Sequence, residues 1–289
     1  MKILLLGHTG QLGWELNRAL QPLGQVIALD YPEIDLSAPE NIRRLIRECK
    51  PDLVVNTAGY TDVDRAESEP ELAMAVNSSG VSTLAEEVKK LGAALIHYSS
   101  DYVFDGTKDS PYTETDEPNP MNIYGRSKLA GDLAIRDSGC IHLIFRTSWM
   151  YSLRRPCFVT NVLSWAKNHD VLRIVDDQVG NPTSARMLAE ATAQVIARGG
   201  ADPIGYLSEV KSLYNLAGTG CCSRFEWAQE IIQIMGMSSH ITVIPAKTSE
   251  FPTPAQRPAF SPLDCSKARA LGIYLPDWQS SLMLCLVEI

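Results

Sequence analysis

The chain has no apolar stretch approaching the roughly 18 uncharged residues a membrane-spanning helix needs. The apolar run in its first ten residues, MKILLLGHTG, is far too short for a signal-peptide core and leads straight into a glycine motif. Basic residues are not in excess: 26 Lys and Arg stand against 34 Asp and Glu, a formal net charge of -8. Phosphate backbones demand a surplus of cations, so nucleic acid is not the expected partner. An anionic small molecule stays possible where local basic residues offset the global field. The seven cysteines lack the paired spacing of a metal site. Cys221 and Cys222 are adjacent, poor geometry for a mutual disulfide. Scattered thiols, odd in number, point to a reducing, cytoplasmic compartment and to buried or idle side chains. Repeats and low-complexity segments are also missing.

What is present is an ordinary globular composition, 45% hydrophobic and 21% charged over 289 residues. That is enough for one large domain or two small ones with a sizeable core. In the first half, short apolar runs alternate with helical patterns. Strands are expected at Lys2–Gly7, Gln25–Asp30, Asp52–Asn56, Ala93–Ser100 and His142–Ser148. Helices are expected at Gln11–Leu20, Pro39–Cys49, Pro70–Leu91 and Asn122–Asp137, with Pro39 suited to a first helical turn. This βαβ rhythm implies a doubly wound parallel sheet, an α/β domain over residues 1–150.

The rhythm loosens after Ser148. Tyr151–Pro156 reads as a basic loop, with Arg154 and Arg155 as solvated charges. Helices are expected at Phe158–Asn168 and Ser184–Arg198, and a surface loop at Gly199–Lys211. Ser223 with Glu226 forms a capping-box pattern ahead of a helix ending near Gly236. Dense proline from Pro245 to Pro262 implies loops and turns. Residues 151–289 are therefore expected to form a smaller, irregular C-terminal lobe, interleaved with the sheet domain through parts of 170–240.

Gly7-His8-Thr9-Gly10-Gln11-Leu12-Gly13 lies between the first strand and the first helix. Its glycines permit a tight turn and close approach of backbone to a pyrophosphate, which the helix N-terminus attracts. Asp30, ending the second strand, is placed to accept from the adenosine ribose hydroxyls. It would repel a 2′-phosphate, and no Arg immediately follows it, which tilts the reading toward NADH over NADPH. Asp35 and Leu36 are placed to border the adenine.

Tyr124 and Lys128 are four residues apart in a helical segment, on one face. A phenol titrates near 10 in water, and a neighbouring ammonium is expected to lower it. Such a Tyr can protonate a ketone oxygen while hydride arrives at carbon. Ser100, closing the fourth strand, can share that oxygen as a second donor.

With Asn56–Gly59, Ser99–Gly106 (SSDYVFDG) and Tyr124–Lys128 (YGRSK) following the glycine turn, the chain resembles the extended short-chain dehydrogenase/reductases. The strings Arg65–Glu67, Glu69-Pro70, Phe145–Trp149 (FRTSW), Asp177-Gln178 with Gly180, Pro182-Thr183 and Arg257-Pro258 narrow the resemblance to the branch that reduces the C4 ketone of dTDP-4-dehydro-L-rhamnose. The resemblance spans essentially the whole chain. It implies a Rossmann-like domain binding NADH or NADPH and a smaller lobe over a nucleotide sugar. It implies Tyr124 as proton donor, Lys128 as its partner and ribose contact, and Ser100, where the family commonly has Thr, as third member. Cofactor contacts would come from Gly7, Gly10, Gln11, Leu12, Gly13, Asp30, Asp35, Leu36, Gly59, Tyr60, Thr61, Tyr124 and Lys128. Sugar contacts would come from Ser100, Asp101 and Trp149, and Arg257 would meet the diphosphate as a guanidinium fork.

Some members of that branch hold Mg²⁺ between glutamates at a dimer contact. Glu15 and Glu288 fall at such positions here, but Arg186 takes the intermediate one and would repel a cation, so no metal is expected. The expected partner is a nucleotide sugar, with neither nucleic acid nor membrane, and a homodimer is compatible with this reading. Two alternatives stay open: a reductase or epimerase for another nucleotide sugar, and a non-catalytic cofactor-binding subunit like the regulatory subunit of methionine adenosyltransferase.

Overall fold

The computed structural model describes residues 1–287. Five strands appear where the apolar runs fall: β1 (Lys2–Leu6), β2 (Gln25–Leu29), β3 (Leu53–Asn56), β4 (Ala94–Ser100) and β5 (Ile141–Thr147). A sixth, Ser212–Asn215, joins the same sheet beside β5. Across the sheet the order is Ser212–Asn215, β5, β4, β3, β1, β2, with every pairing parallel. The chain is thus an α/β protein with a doubly wound, Rossmann-like sheet.

Strand alternation sorts the core into two layers. Ile3, Leu5, Leu53, Val55 and Ile96 face one side and pack against helices Gln11–Ala19 and Ala185–Ala197 through Leu12, Leu16 and Leu188. Leu4, Leu6, Val54 and Leu95 face the other side, against Ile42, Ile46, Leu84 and Val88 of helices Pro39–Cys49 and Gly80–Leu91. Each fully buried Leu or Ile contributes about 1.5–3 kcal/mol, so a strand buried on both faces must read as continuous apolar sequence. The lobe has its own core, built on Tyr151, Val159, Val162, Trp227, Ile231, Trp278 and Leu282.

Several expectations change. Pro70–Leu91 is not one regular helix: Pro70–Met74 passes through a π turn, Ala75–Ser79, into Gly80–Leu91. Gly199–Lys211 is not a loop throughout. It contains helix Pro203–Glu209, because Asp202 caps the Gly205 N–H, Pro203 opens the first turn, and Leu207 is buried. The proline-rich stretch likewise begins inside a strand, Thr242–Ala246, which pairs in parallel with Val171–Val175. Pro245 is accommodated in that two-stranded ribbon because an edge position needs no inward N–H. The capping box of Ser223 and Glu226 forms, heading helix Arg224–Ile234. Among the described residues no helix is long and apolar enough to cross a membrane.

Candidate active site

The order β2, β1, β3 places a topological switch between β1 and β3, where open parallel sheets leave a crevice beyond their carboxyl ends. A cleft of about 1290 Å³ opens there. That exceeds an ordinary single-ligand pocket of roughly 300–1,000 Å³ and suits two ligands end to end. Its lining includes Gly7, Gly10, Gln11, Leu12, Gly13, Asp30, Asp35, Leu36, Gly59, Tyr60, Thr61, Ser100, Asp101, Tyr124, Lys128, Trp149 and Arg257, every sequence-predicted site residue. A separate cavity of about 680 Å³ on helix Arg224–Ile234 contains none of them.

The glycine turn is a fitted cradle. Gly7 has φ +82, in the left-handed region, and a Cβ there would sit 2.7 Å from the Ala58 N. A Cβ on Gly13 would lie 2.0 Å from the Gly7 carbonyl oxygen. Helix Gln11–Ala19 begins without a side-chain cap and without an acid in its first turn. Its open N–H groups and dipole therefore suit a dinucleotide pyrophosphate. Asp30 lies across the turn: Oδ2 accepts from the Thr9 N (2.9 Å) and Oγ1 (2.6 Å), and Oδ1 from the Tyr31 N (2.8 Å). Burial pushes its pKa up, but these bonds outweigh that and hold it below the ordinary carboxylate value. Asp35 accepts from Ser37 N and Oγ at 2.8 and 2.6 Å, which fixes the loop around Leu36.

The catalytic candidates stand on β4 and on helix Ile123–Ser138, capped by Asn122, which accepts from the Gly125 N at 2.7 Å. Tyr124 and Ser100 both line the cleft, and the Ser100 hydroxyl acts on the Tyr124 phenol. Lys128 is buried; its ammonium donates to the Tyr98 carbonyl at 2.6 Å and lies 3.4 Å from His97 Nε2. The expected lowering of the phenol pKa by Lys128 needs correction. Burial dominates and pushes Tyr124 upward, with only the Ser100 hydroxyl acting the other way. Burial also lowers Lys128 to about 8, against the pull of Asp132.

Asp101 sits 2% exposed beneath this pair. It accepts from Ser100 Oγ (3.1 Å), Ser148 Oγ (3.1 Å) and Ser261 Oγ (2.6 Å). Burial nevertheless raises its pKa. Its geometry is that of an anchor for Ser100 as much as of a ligand contact. Trp149 adopts φ 42, unusual for a bulky residue and a mark of functional strain. It is held by stacking on Trp227 (5.7 Å, 14°) and against Gly180, where a Cβ would come within 2.5 Å of its ring. Arg257 reaches the cleft but is forked on Asp64, at 2.7 and 3.1 Å.

Sequence reasoning missed three participants. Asn77, inside the π turn, accepts from the Tyr60 N and donates to the Tyr60 carbonyl and to Ser127 Oγ, each at 2.9 Å. It ties the Gly59–Thr61 loop to the catalytic helix, and π turns gather at functional sites. Arg224 lines the cleft with its guanidinium 3.6 Å from the Trp149 ring centroid. The capping-box pattern placed Arg224 in a first helical turn, but nothing local aimed it inward. Arg155 is exposed, as expected of a loop charge, and it also donates to Thr9 O (2.9 Å) and Oγ1 (2.8 Å) on the glycine turn. Arg154 likewise stacks over Trp14, 3.4 Å from the ring centroid. Glu15 lies 3.4 Å from Arg186 and 3.8 Å from Arg18, and Glu288 falls outside the described residues.

The chain is similar along its whole length to known proteins. The family model of the RmlD substrate binding domain matches residues 1–289. A dTDP-4-dehydrorhamnose reductase of Burkholderia thailandensis is 42% identical, covering 100% of this chain and 99% of that protein. One from Salmonella typhimurium is 41% identical, covering 100% and 98%. A crystal structure of a dTDP-4-dehydrorhamnose reductase from Clostridium acetobutylicum superposes with TM-score 0.92 at 34% identity over 100% of both chains. Another, from Bacillus anthracis in complex with NADP, gives TM-score 0.91 at 30% identity, covering 100% of this chain and 99% of that one.

Proposed function

The chain belongs to the RmlD substrate binding domain family, and from that membership we propose that it reduces the C4 ketone of dTDP-4-dehydro-L-rhamnose to give dTDP-L-rhamnose, a precursor of cell-surface polysaccharide. It is an NAD(P)H-dependent oxidoreductase of the class acting on CH–OH groups. Residues 1–150, with Ala185–Ala197 and Ser212–Asn215, form the cofactor half; most of the rest of 151–289 grips the sugar nucleotide. Scattered cysteines, odd in number, suit a reducing cytoplasm as its compartment.

The observation that carries this reading is the meeting of Ser100, Tyr124 and Lys128 in the same cleft as the Gly7–Gly13 cradle. Two hydroxyls stand where one ketone oxygen could accept from both once the Ser100 O–H turns from Asp101. A bound nicotinamide cofactor supplies the hydride. Gly10, Gln11, Leu12 and Gly13 would hold its pyrophosphate, Asp30 its adenosine ribose, and Lys128 its other ribose. Tyr124, kept protonated by burial, donates its proton to the C4 oxygen as negative charge develops there. Ser100, whose O–H is donated to Asp101 here, would redirect it to that oxygen. Lys128, an ammonium below about pH 8, supplies the proton that recharges the phenolate. Trp149 forms a wall for the deoxysugar, and Arg257 and Arg224 face the diphosphate.

The test is loss of reduced-nicotinamide absorbance on adding dTDP-4-dehydro-L-rhamnose, with NADPH and NADH in parallel. Sugar-dependent oxidation establishes the reaction. Cofactor binding without oxidation sinks it and moves the assignment to another nucleotide sugar or to a non-catalytic subunit.

A further inference from the structure

The adenosine-ribose end of the cleft carries opposite charges joined by one hydroxyl. Arg155 donates to Thr9 Oγ1 at 2.8 Å, and Thr9 Oγ1 donates to Asp30 Oδ2 at 2.6 Å. A second Arg155 bond, to the Thr9 carbonyl at 2.9 Å, orients the guanidinium plane against the turn. Both Arg155 acceptors are uncharged, so its positive charge is not cancelled by direct pairing. Asp30, in turn, spends both oxygens on Thr9 and Tyr31. All three residues line the cleft, and Arg155 comes from the loop that follows Tyr151, 146 positions after Thr9.

The bare Asp30 rule predicts rejection of a 2′-phosphate, since a carboxylate repels it and no cation follows in sequence. The fold supplies that cation from the other half of the chain. We propose that Arg155 is the residue that admits a 2′-phosphate, so that this site takes NADPH through Arg155 and NADH through Asp30. The chemistry is a guanidinium fork on phosphate oxygens, with two N–H bonds already fixing its plane and its remaining N–H groups free to turn to the ligand. This rests on the nicotinamide-cofactor part of the proposed function and is independent of which sugar is reduced.

The experiment titrates the full chain with NADPH and with NADH separately, without sugar, following tryptophan fluorescence, for the wild type, Arg155→Gln and Arg155→Lys. Loss of a charge-assisted fork is worth about tenfold or more in affinity. Arg155→Gln is expected to weaken NADPH by about that factor and leave NADH within about twofold, with Arg155→Lys between. Equal weakening of both cofactors, or unchanged NADPH affinity, overturns the proposal. Turnover with the sugar is measured on the wild type alongside. Discrimination in binding without sugar-dependent turnover would reject the reductase and leave the role of Arg155 standing.

Discussion

His97 Nε2 lies 3.4 Å from Lys128 Nζ, and the hydrogen on that ring nitrogen is decided by a residue on the neighbouring strand. Asn56 Oδ1 accepts from the Ala58 N at 3.1 Å, which turns the Asn56 amide N–H₂ toward His97 Nδ1, also at 3.1 Å. Nδ1 is therefore the acceptor and Nε2 bears the hydrogen. Burial and the nearby ammonium hold His97 neutral, far below its ordinary pKa. Lys128 thus faces an N–H donor on one side and donates to the Tyr98 carbonyl on the other; the carbonyl favours its charged form, and burial is what eases loss of its proton.

Activity and stability should consequently move in opposite directions with pH. The ammonium of Lys128 is present below about 8. Reduction is expected to decline above that value, read from kcat against pH at saturating substrate; a flat profile to pH 10 would refute the role. In the unfolded chain Lys128 regains its ordinary 10.5. Between about 8 and 10.5 the unfolded state then binds more protons, so this group makes the fold more stable as pH rises. Lys128→Met should remove that contribution, measured by urea unfolding at several pH values.

Tyr124→Phe removes the proposed proton donor and keeps the ring. The turnover number should fall by about 100-fold or more, the usual yield of general acid catalysis. Affinity for NADPH should stay within a few-fold, because the cradle is untouched. Near-normal turnover would rule out Tyr124 as the acid.

Arg224 is held by the aromatic rings of Trp149, Phe158 and Trp227, at 3.6, 5.0 and 5.5 Å, and burial lowers its pKa. Arg224→Met should raise KM for the sugar nucleotide about tenfold or more while leaving cofactor affinity unchanged. Steady-state kinetics with each substrate varied in turn checks this. An effect on cofactor alone would place Arg224 with the other ligand.

Arg146 and Asp132 form an ion pair at 3.2 Å with both side chains almost wholly buried. Removing one partner strands the other, so Arg146→Met should cost about 3–5 kcal/mol in denaturant unfolding. Adding Asp132→Asn should recover part of the loss. An additive double mutant would show that the two charges do not compensate each other.

How much of this was legible before folding follows from the range of each interaction. Pro39–Cys49 and the cap at Ser223 were readable because the signals lie within one turn of chain. The strand Ser212–Asn215 was not, since four residues beside β5 carry too little pattern to be told from loop. Helix Pro203–Glu209 was missed because glycine and proline at its entry look like a turn until Asp202 caps it.

The sequence by itself determined the parallel α/β architecture, the glycine cradle, and the Ser100, Tyr124 and Lys128 set. Periodicities, turn residues and i,i+4 spacing act over a few residues, so they survive in one dimension. Only the tertiary structure decided that the Tyr124 phenol is made less acidic rather than more, because burial is a property of the surrounding layers. Only the tertiary structure brought Arg224 onto Trp149 and Arg155 onto Thr9, contacts that span 75 and 146 positions. A guanidinium's charge is written in the sequence, but what it touches depends on which distant groups the fold brings beside it.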